Sequence, residues 1–155
     1  MIRKFKFSGH QRLGHPLAEL QATCYKNSGL DLEPDWIVPV PLHAQRKRER
    51  GFDQTLILSR ALSRRLEIPV FRGLSRIQPT APQSGLNLQE RQRNVRDAFR
   101  LSQADRLSQR TVLLVDDVMT TGTTISEICQ LLRKESTIHR IVVLTVARVQ
   151  LYLHQ

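Results

Sequence analysis

The chain has 155 residues, 40% hydrophobic and 25% charged, the composition of a soluble globular protein with room for one domain and a core of its own. No apolar run approaches the roughly 20 residues of a membrane span, and the leading Met-Ile-Arg-Lys-Phe-Lys-Phe stretch lacks the apolar centre of a secretory signal. The net charge of +10 is carried unevenly: residues 43–100 hold thirteen basic against five acidic groups, while both flanks are close to neutral. An anionic partner is therefore expected to meet the middle third.

In the leading segment Phe5 and Phe7 alternate with Lys4 and Lys6. Leu17, Leu20 and Cys24 recur at helical spacing, Pro16 suits a first helical turn, and Asn27-Ser28-Gly29 ends the helix. Trp36-Ile37-Val38-Pro39-Val40 reads as a short buried strand with Pro41 at its exit. A basic loop follows from His43 to Phe52. Leu58, Ala61, Leu62 and Leu66 mark a second helix, and Ile68–Phe71 a second strand. Residues 72–94, with Pro79, Pro82 and Gly85, read as a long polar loop, a length usual for functional or disordered segments. Phe99 and Leu101 sit in a short strand. Val112–Val115 is a buried strand, Ile125, Ile128, Cys129 and Leu132 a helical stripe, and Ile141–Ala147 a last strand. Strands alternating with helices predict a three-layer α/β fold with a mostly parallel sheet, a single domain over 1–155. Tyr152 reads as packing.

Cys24 and Cys129 form no Cys-x-x-Cys pair and read as buried reduced thiols of a cytoplasmic protein. His10, His15, His43, His139 and His154 are scattered without metal-ligand spacing, so no metal site built from protein alone is expected.

The most specific string is Val112-Leu-Leu-Val-Asp116-Asp117-Val-Met-Thr120-Thr121-Gly122-Thr123-Thr124. A strand that ends in two carboxylates, then a loop of small hydroxyl residues opening a helix, is suited to a sugar phosphate. Loop and first-turn N–H groups converge on one anion, and the helix dipole favours it. Gly122 allows close approach or φ > 0. Asp116 and Asp117 are then within reach of sugar hydroxyls as acceptors. The plainer reading is a polar turn with Thr124 as an ordinary N-cap. A second anion trap follows the Val38-Pro-Val-Pro strand, with four cations in five positions: Arg46, Lys47, Arg48 and Arg50. At the carboxyl edge of the same sheet it would face the first trap across the ligand crevice of α/β folds. A solvated basic turn or a nucleic-acid backbone site are its other readings.

The Asp116–Thr124 string resembles the phosphoribosyl-pyrophosphate (PRPP) signature of type I phosphoribosyltransferases. Three further stretches are similar to the ComF/GntX family of phosphoribosyltransferase-like proteins. These are Lys6-Phe7-Ser8-Gly9, Val38-Pro-Val-Pro…Arg50-Gly51-Phe52-Asp53-Gln54, and Arg76…Thr80…Gln83…Leu88…Arg91…Asn94-Val95…Ala98-Phe99. The resemblance implies a Rossmann-like, type I phosphoribosyltransferase fold. Asp116 and Asp117 would meet the ribose hydroxyls, Thr120, Thr121, Gly122, Thr123 and Thr124 the 5′-phosphate, and Arg46, Lys47, Arg48, Arg50 and Gly51 the pyrophosphate. Mg²⁺ would be held mainly by PRPP oxygens and water. Residues 76–96 resemble the loop that closes over PRPP, which makes Arg76, Gln83, Arg91, Arg93 and Asn94 lid candidates.

The resemblance also implies a link to natural competence, with single-stranded DNA and the uptake machinery as partners. Two departures stand out. Asp53 replaces a usual Asn, and the cysteine-rich zinc-binding segment that usually begins the family is not present in this chain. No residue marks a general base, and no acceptor-binding segment is readable. The leading expectation is a transferase of phosphoribosyl groups. Its alternatives are a non-catalytic single-stranded-DNA-handling or regulatory protein that kept the PRPP cradle, and a nucleotide-salvage transferase. No aromatic ladder among the charges suggests base stacking.

Overall fold

The computed structural model describes residues 13–30, 32–78 and 97–148. The leading segment with Phe5 and Phe7, the lid candidates Gln83, Arg91, Arg93 and Asn94, and Tyr152 lie outside the described residues.

The elements in chain order are α1 (Gly14–Lys26), β1 (Trp36–Pro39), α2 (Ala44–Arg50), α3 (Gln54–Leu66), β2 (Leu74–Arg76), β3 (Phe99–Leu101), a 3₁₀ turn (Ala104–Leu107), β4 (Thr111–Met119), α4 (Thr123–Glu135) and β5 (Arg140–Arg148). β1, β4 and β5 form a parallel sheet in the order β1-β4-β5, in which Trp36 pairs with Val112, Pro39 with Val115 and Asp116 with Thr145. The apolar alternation of β4 supplies both faces of the core. Val112 and Leu114 join α4, the β2–β3 hairpin and the 3₁₀ turn on one side. Leu113 and Val115 join α1, α3 and Leu144 on the other. The result is the expected three-layer α/β arrangement, with β4 central and buried from both sides.

Four local expectations are corrected. The basic stretch after β1 is helical, because Ala44–Arg50 are strong helix formers with an i, i+4 bond from Gln45 Nε2 to Glu49 Oε1 at 3.1 Å. The His43 ring caps its start by accepting from the Gln45 N–H, and Gly51, at φ 76°, supplies the left-handed stop. The stretch after residue 72, expected to be loop throughout, begins with a strand, β2, paired antiparallel to β3 through Ser75 and Arg100. Ile68–Phe71 makes only one parallel bridge, Val70 to Ile37, flanked by bonds from Ile37 N–H to the Pro69 carbonyl and from Phe71 N–H to the Ile37 carbonyl. Pro69 has no N–H with which to continue a ladder.

The stripe read on α1 is the fourth correction. Leu17 is buried, but Leu20 is 61% exposed and Cys24 is at the surface. The buried face is Gly14, Leu17, Ala18, Gln21 and Ala22. Of the two thiols, only Cys129 is partly covered, and burial pushes its pKa up against the opposing pull of Arg133.

Asp53 caps α3: its Oδ1 accepts from the Leu56 N–H at 3.1 Å and lies 2.9 Å from the Thr55 hydroxyl. That hydroxyl is also 2.6 Å from the Val40 carbonyl, which ties the start of α3 to the end of β1. The carboxylate at position 53 is thus engaged as a cap, a role that Asn fills equally well. No helix among the described residues is long and apolar enough to cross a membrane.

Candidate functional site

A cleft of about 670 Å³ opens at the carboxyl ends of β1 and β4. Parallel pairing brings these ends together, and the Val40 N–H still bonds the Val115 carbonyl at 2.9 Å just past the last β1 pair. Beyond this point the two chains diverge, β1 into α2 and β4 into the loop before α4. The cleft lies where they part.

One wall is Val118 to Ile125, which follows directly on Asp116 and Asp117. Gly122 adopts φ 77° and serves as the N-cap of α4, with no side chain capping that end. Thr124 is therefore inside the helix and is not its cap. The first-turn N–H groups of α4 and the hydroxyls of Thr121 and Thr123, 2.8 Å apart, border the space where an anion would sit. A Cβ built on Gly122 would meet only Met119 Sδ at 3.9 Å, so the constraint on this glycine is conformational and not steric. Gly122→Ala is expected to cost about 1–2 kcal/mol of stability through its left-handed backbone. It is also expected to weaken anion binding as the loop relaxes, which urea unfolding and phosphate titration together would measure. Unchanged stability would contradict the left-handed assignment.

The opposite wall is Val40, Pro41, Leu42, Arg46, Glu49, Arg50, Gln54 and Thr55, with Arg76 beside them. The helix divides the basic run. Arg46 and Arg50, one turn apart, border the cleft and are half-buried, whereas Lys47, Arg48 and Gly51 are exposed and lie outside the lining. Arg76 stands on β2 in the hairpin, packed over the Phe99 ring with its guanidinium carbon 5.4 Å from the centroid. It is a wall of the cleft and not part of the segment beyond β2.

Electrostatics bind these walls together. Burial pushes the Arg76 pKa down to about 10; repulsion from Arg46 adds to this and attraction by Asp116 opposes it. The Arg46 pKa is also lowered, first by burial and then by Arg50, against Glu49. Three like charges, those of Arg46, Arg50 and Arg76, thus share one partly desolvated space. Such an arrangement is stabilised by a bound anion.

Between the walls sits the acidic pair. Asp116 Oδ1 accepts from the Asp117 N–H at 2.8 Å, and Asp117 is 8% exposed. By strand alternation Asp116 shares the face of Leu114, toward Arg76, and Asp117 the face of Val115, toward α1 and α3. The cleft can therefore take a ligand with an anionic group at each end and hydroxyls between. Glu49 and Thr55 complete the lining without having been singled out from the sequence, and Gln54, quoted there only within the family string, joins them. The Gln45/Glu49 spacing and the Gly51 stop are the signals that would have revealed the helix carrying Glu49.

A parallel α/β sheet with an acidic pair and a glycine-hinged threonine loop at the carboxyl end of its central strand defines a phosphoribosyltransferase-type domain. The phosphoribosyl transferase domain family model matches residues 53–152, and the chain belongs to that family. Among curated proteins, the chain is 37% identical over 139 residues to Competence protein F of Haemophilus influenzae, covering 86% of this chain and 61% of that protein. It is 38% identical over 137 residues to DNA utilization protein YhgH of Escherichia coli K12, covering 85% of this chain and 59% of that protein. The chain therefore spans about three-fifths of the length of these relatives. Among solved structures, adenine phosphoribosyltransferase of Saccharomyces cerevisiae superposes with a TM-score of 0.56 at 13% identity, over 88% of this chain and 69% of that one, a likeness of fold.

Proposed function

We propose that this protein binds PRPP in the cleft, as a phosphoribosyltransferase-family protein of the ComF type that serves DNA uptake and utilisation. The observation that carries this reading is the pairing of two anion traps across one cleft with a carboxylate pair between them. PRPP has that pattern: a 5′-phosphate, two ribose hydroxyls and a pyrophosphate. The Thr120–Thr124 loop holds the 5′-phosphate on backbone N–H groups and the α4 dipole. Asp116 and Asp117 accept from the ribose hydroxyls. Arg46, Arg50 and Arg76 take the pyrophosphate and stabilise the charge that gathers on it as the bond to the anomeric carbon lengthens.

The names of the two relatives, with their competence and DNA-utilization roles, support the biological setting. Among the described residues no group of three or more His, Cys, Asp or Glu side chains gathers to hold a metal. Asp116, Asp117 and Glu49 line the cleft without forming a metal cage, which fits a Mg²⁺ ion carried mainly on the ligand's own oxygens and water. When bound, the ion would neutralise pyrophosphate charge; the protein's part is to orient the ribose and receive the leaving group.

Calorimetric titration with PRPP and Mg²⁺, against ribose 5-phosphate and pyrophosphate separately, tests the reading. PRPP should bind more tightly than either half. A screen for pyrophosphate release with nitrogen nucleophiles then tests transfer. PRPP binding no tighter than pyrophosphate alone would remove the ribose and 5′-phosphate from the account.

A further inference from the structure

α1 buries Gly14, Leu17, Ala18, Gln21 and Ala22, and only Gln21 among them has a polar side chain. Gln21 is 2% exposed, set in the layer formed by Leu17, Ala18, Ala22, Leu113, Val115 and Leu144. Its Nε2 donates to the backbone carbonyl of Asp116 at 3.4 Å. Its Oε1 is buried and has no hydrogen-bond partner among the described residues. A leucine or methionine would fill this place without an orphaned acceptor, which costs about 1–3 kcal/mol. This buried amide thus reaches the backbone of a site residue.

We propose that Gln21 is a positioning residue for the acidic pair, an inference that rests on the ribose role proposed for Asp116 and Asp117. Asp116 is where β4 passes from the double-sided core into the cleft, and its side chain and that of Asp117 leave on opposite faces of the strand. A rotation of this one peptide would swing both carboxylates. The Asp116 side chain is already turned back on the chain through the Asp117 N–H. The carbonyl end of the peptide that joins the pair lies in the β4–β5 ladder, where Asp116 pairs with Thr145, and Gln21 adds a second hold on it from the α1 layer. Gln21 also lies outside residues 53–152, the stretch matched by the family model. The N-terminal helix thereby supports a site whose recognisable motif lies far along the chain.

The test compares the wild type with Gln21→Met, which keeps length and volume and removes the amide, and Gln21→Asn, which keeps the amide but shortens its reach. Three measurements are made: thermal stability, amide exchange of Asp117 without ligand, and affinity for PRPP and for pyrophosphate with Mg²⁺. Gln21→Met should melt no lower than the wild type, since an orphaned acceptor is gone. Its Asp117 amide should exchange faster, and its PRPP affinity should fall about threefold to tenfold, the loss of one long hydrogen bond. Pyrophosphate binding, which needs no ribose hydroxyl, should be unchanged. Gln21→Asn should lose PRPP affinity similarly. Unchanged Asp117 exchange and PRPP affinity in Gln21→Met would overturn the assignment, as would equal losses for PRPP and pyrophosphate. Should the wild type itself not bind PRPP, the reading of the cleft fails, and the Asp117 exchange rate still decides whether Gln21 holds the strand.

Discussion

Asp116→Asn with Asp117→Asn is expected to weaken PRPP binding by a hundredfold or more while pyrophosphate binding holds or improves. Each carboxylate accepting from a ribose hydroxyl contributes roughly 1.5–3 kcal/mol. Asparagine keeps the shape of both side chains but lowers their strength as acceptors. The opposite sign for pyrophosphate comes from Arg76. Asp116 is the group that offsets the crowding of Arg76 by Arg46, so its neutralisation leaves the cleft more positive. A general loosening of the site would weaken both ligands together. Retention of wild-type PRPP affinity in the folded double variant would make the pair structural.

Arg46→Gln with Arg50→Gln should likewise cut PRPP affinity by about a hundredfold, because hydrogen bonds to charged groups contribute roughly 1.5–3 kcal/mol each. Ribose 5-phosphate, which has no pyrophosphate, should lose much less. The control is Lys47→Gln with Arg48→Gln. It removes the same formal charge from the same helix but from residues outside the cleft lining, so a small effect on PRPP is expected. Equal losses from the two pairs would reduce α2 to a diffuse positive field. If single-stranded DNA binds along the exposed side of α2, the control pair is where its log–log salt slope should become shallower, by about 0.7 for each strand phosphate that is no longer neutralised.

The sheet is legible in the sequence because β1, β4 and β5 are runs rich in β-branched and other apolar residues, and the β4–α4 motif keeps its order wherever the fold places it. The correct assignment of α3 rests on Leu58 and Leu62, which are fully buried. α1 misleads because Leu20 and Cys24 share a helical period with Leu17 yet face outward, while the small residues Ala18 and Ala22 and the polar Gln21 make the contact. Along residues 44–50 the density of charge masks the helix propensity, and so four cations look alike in sequence although only Arg46 and Arg50 border the cleft. Arg76 is singled out from the sequence as a lid contact, but its setting on β2 is not legible there. Its position depends on the pairing of β2 with β3, across a segment whose length hides the hairpin, and its altered acidity arises first from burial and then from Arg46 and Asp116, which are neighbours only in space.

The parallel pairing of β1 with β4 also has a consequence in time. The two walls of the cleft are made at opposite ends of a long crossover, and neither wall alone offers a ligand both of its anchoring groups. A nascent chain emerging from the ribosome would carry α2 and its arginines well before the partner strand exists, exposing cations that have as yet no defined anion to meet. Closure of a non-local parallel pair is among the slower steps a small domain undertakes. Ligand capture would thus coincide with completion of the sheet, so that the first molecule able to bind is one that has already finished folding.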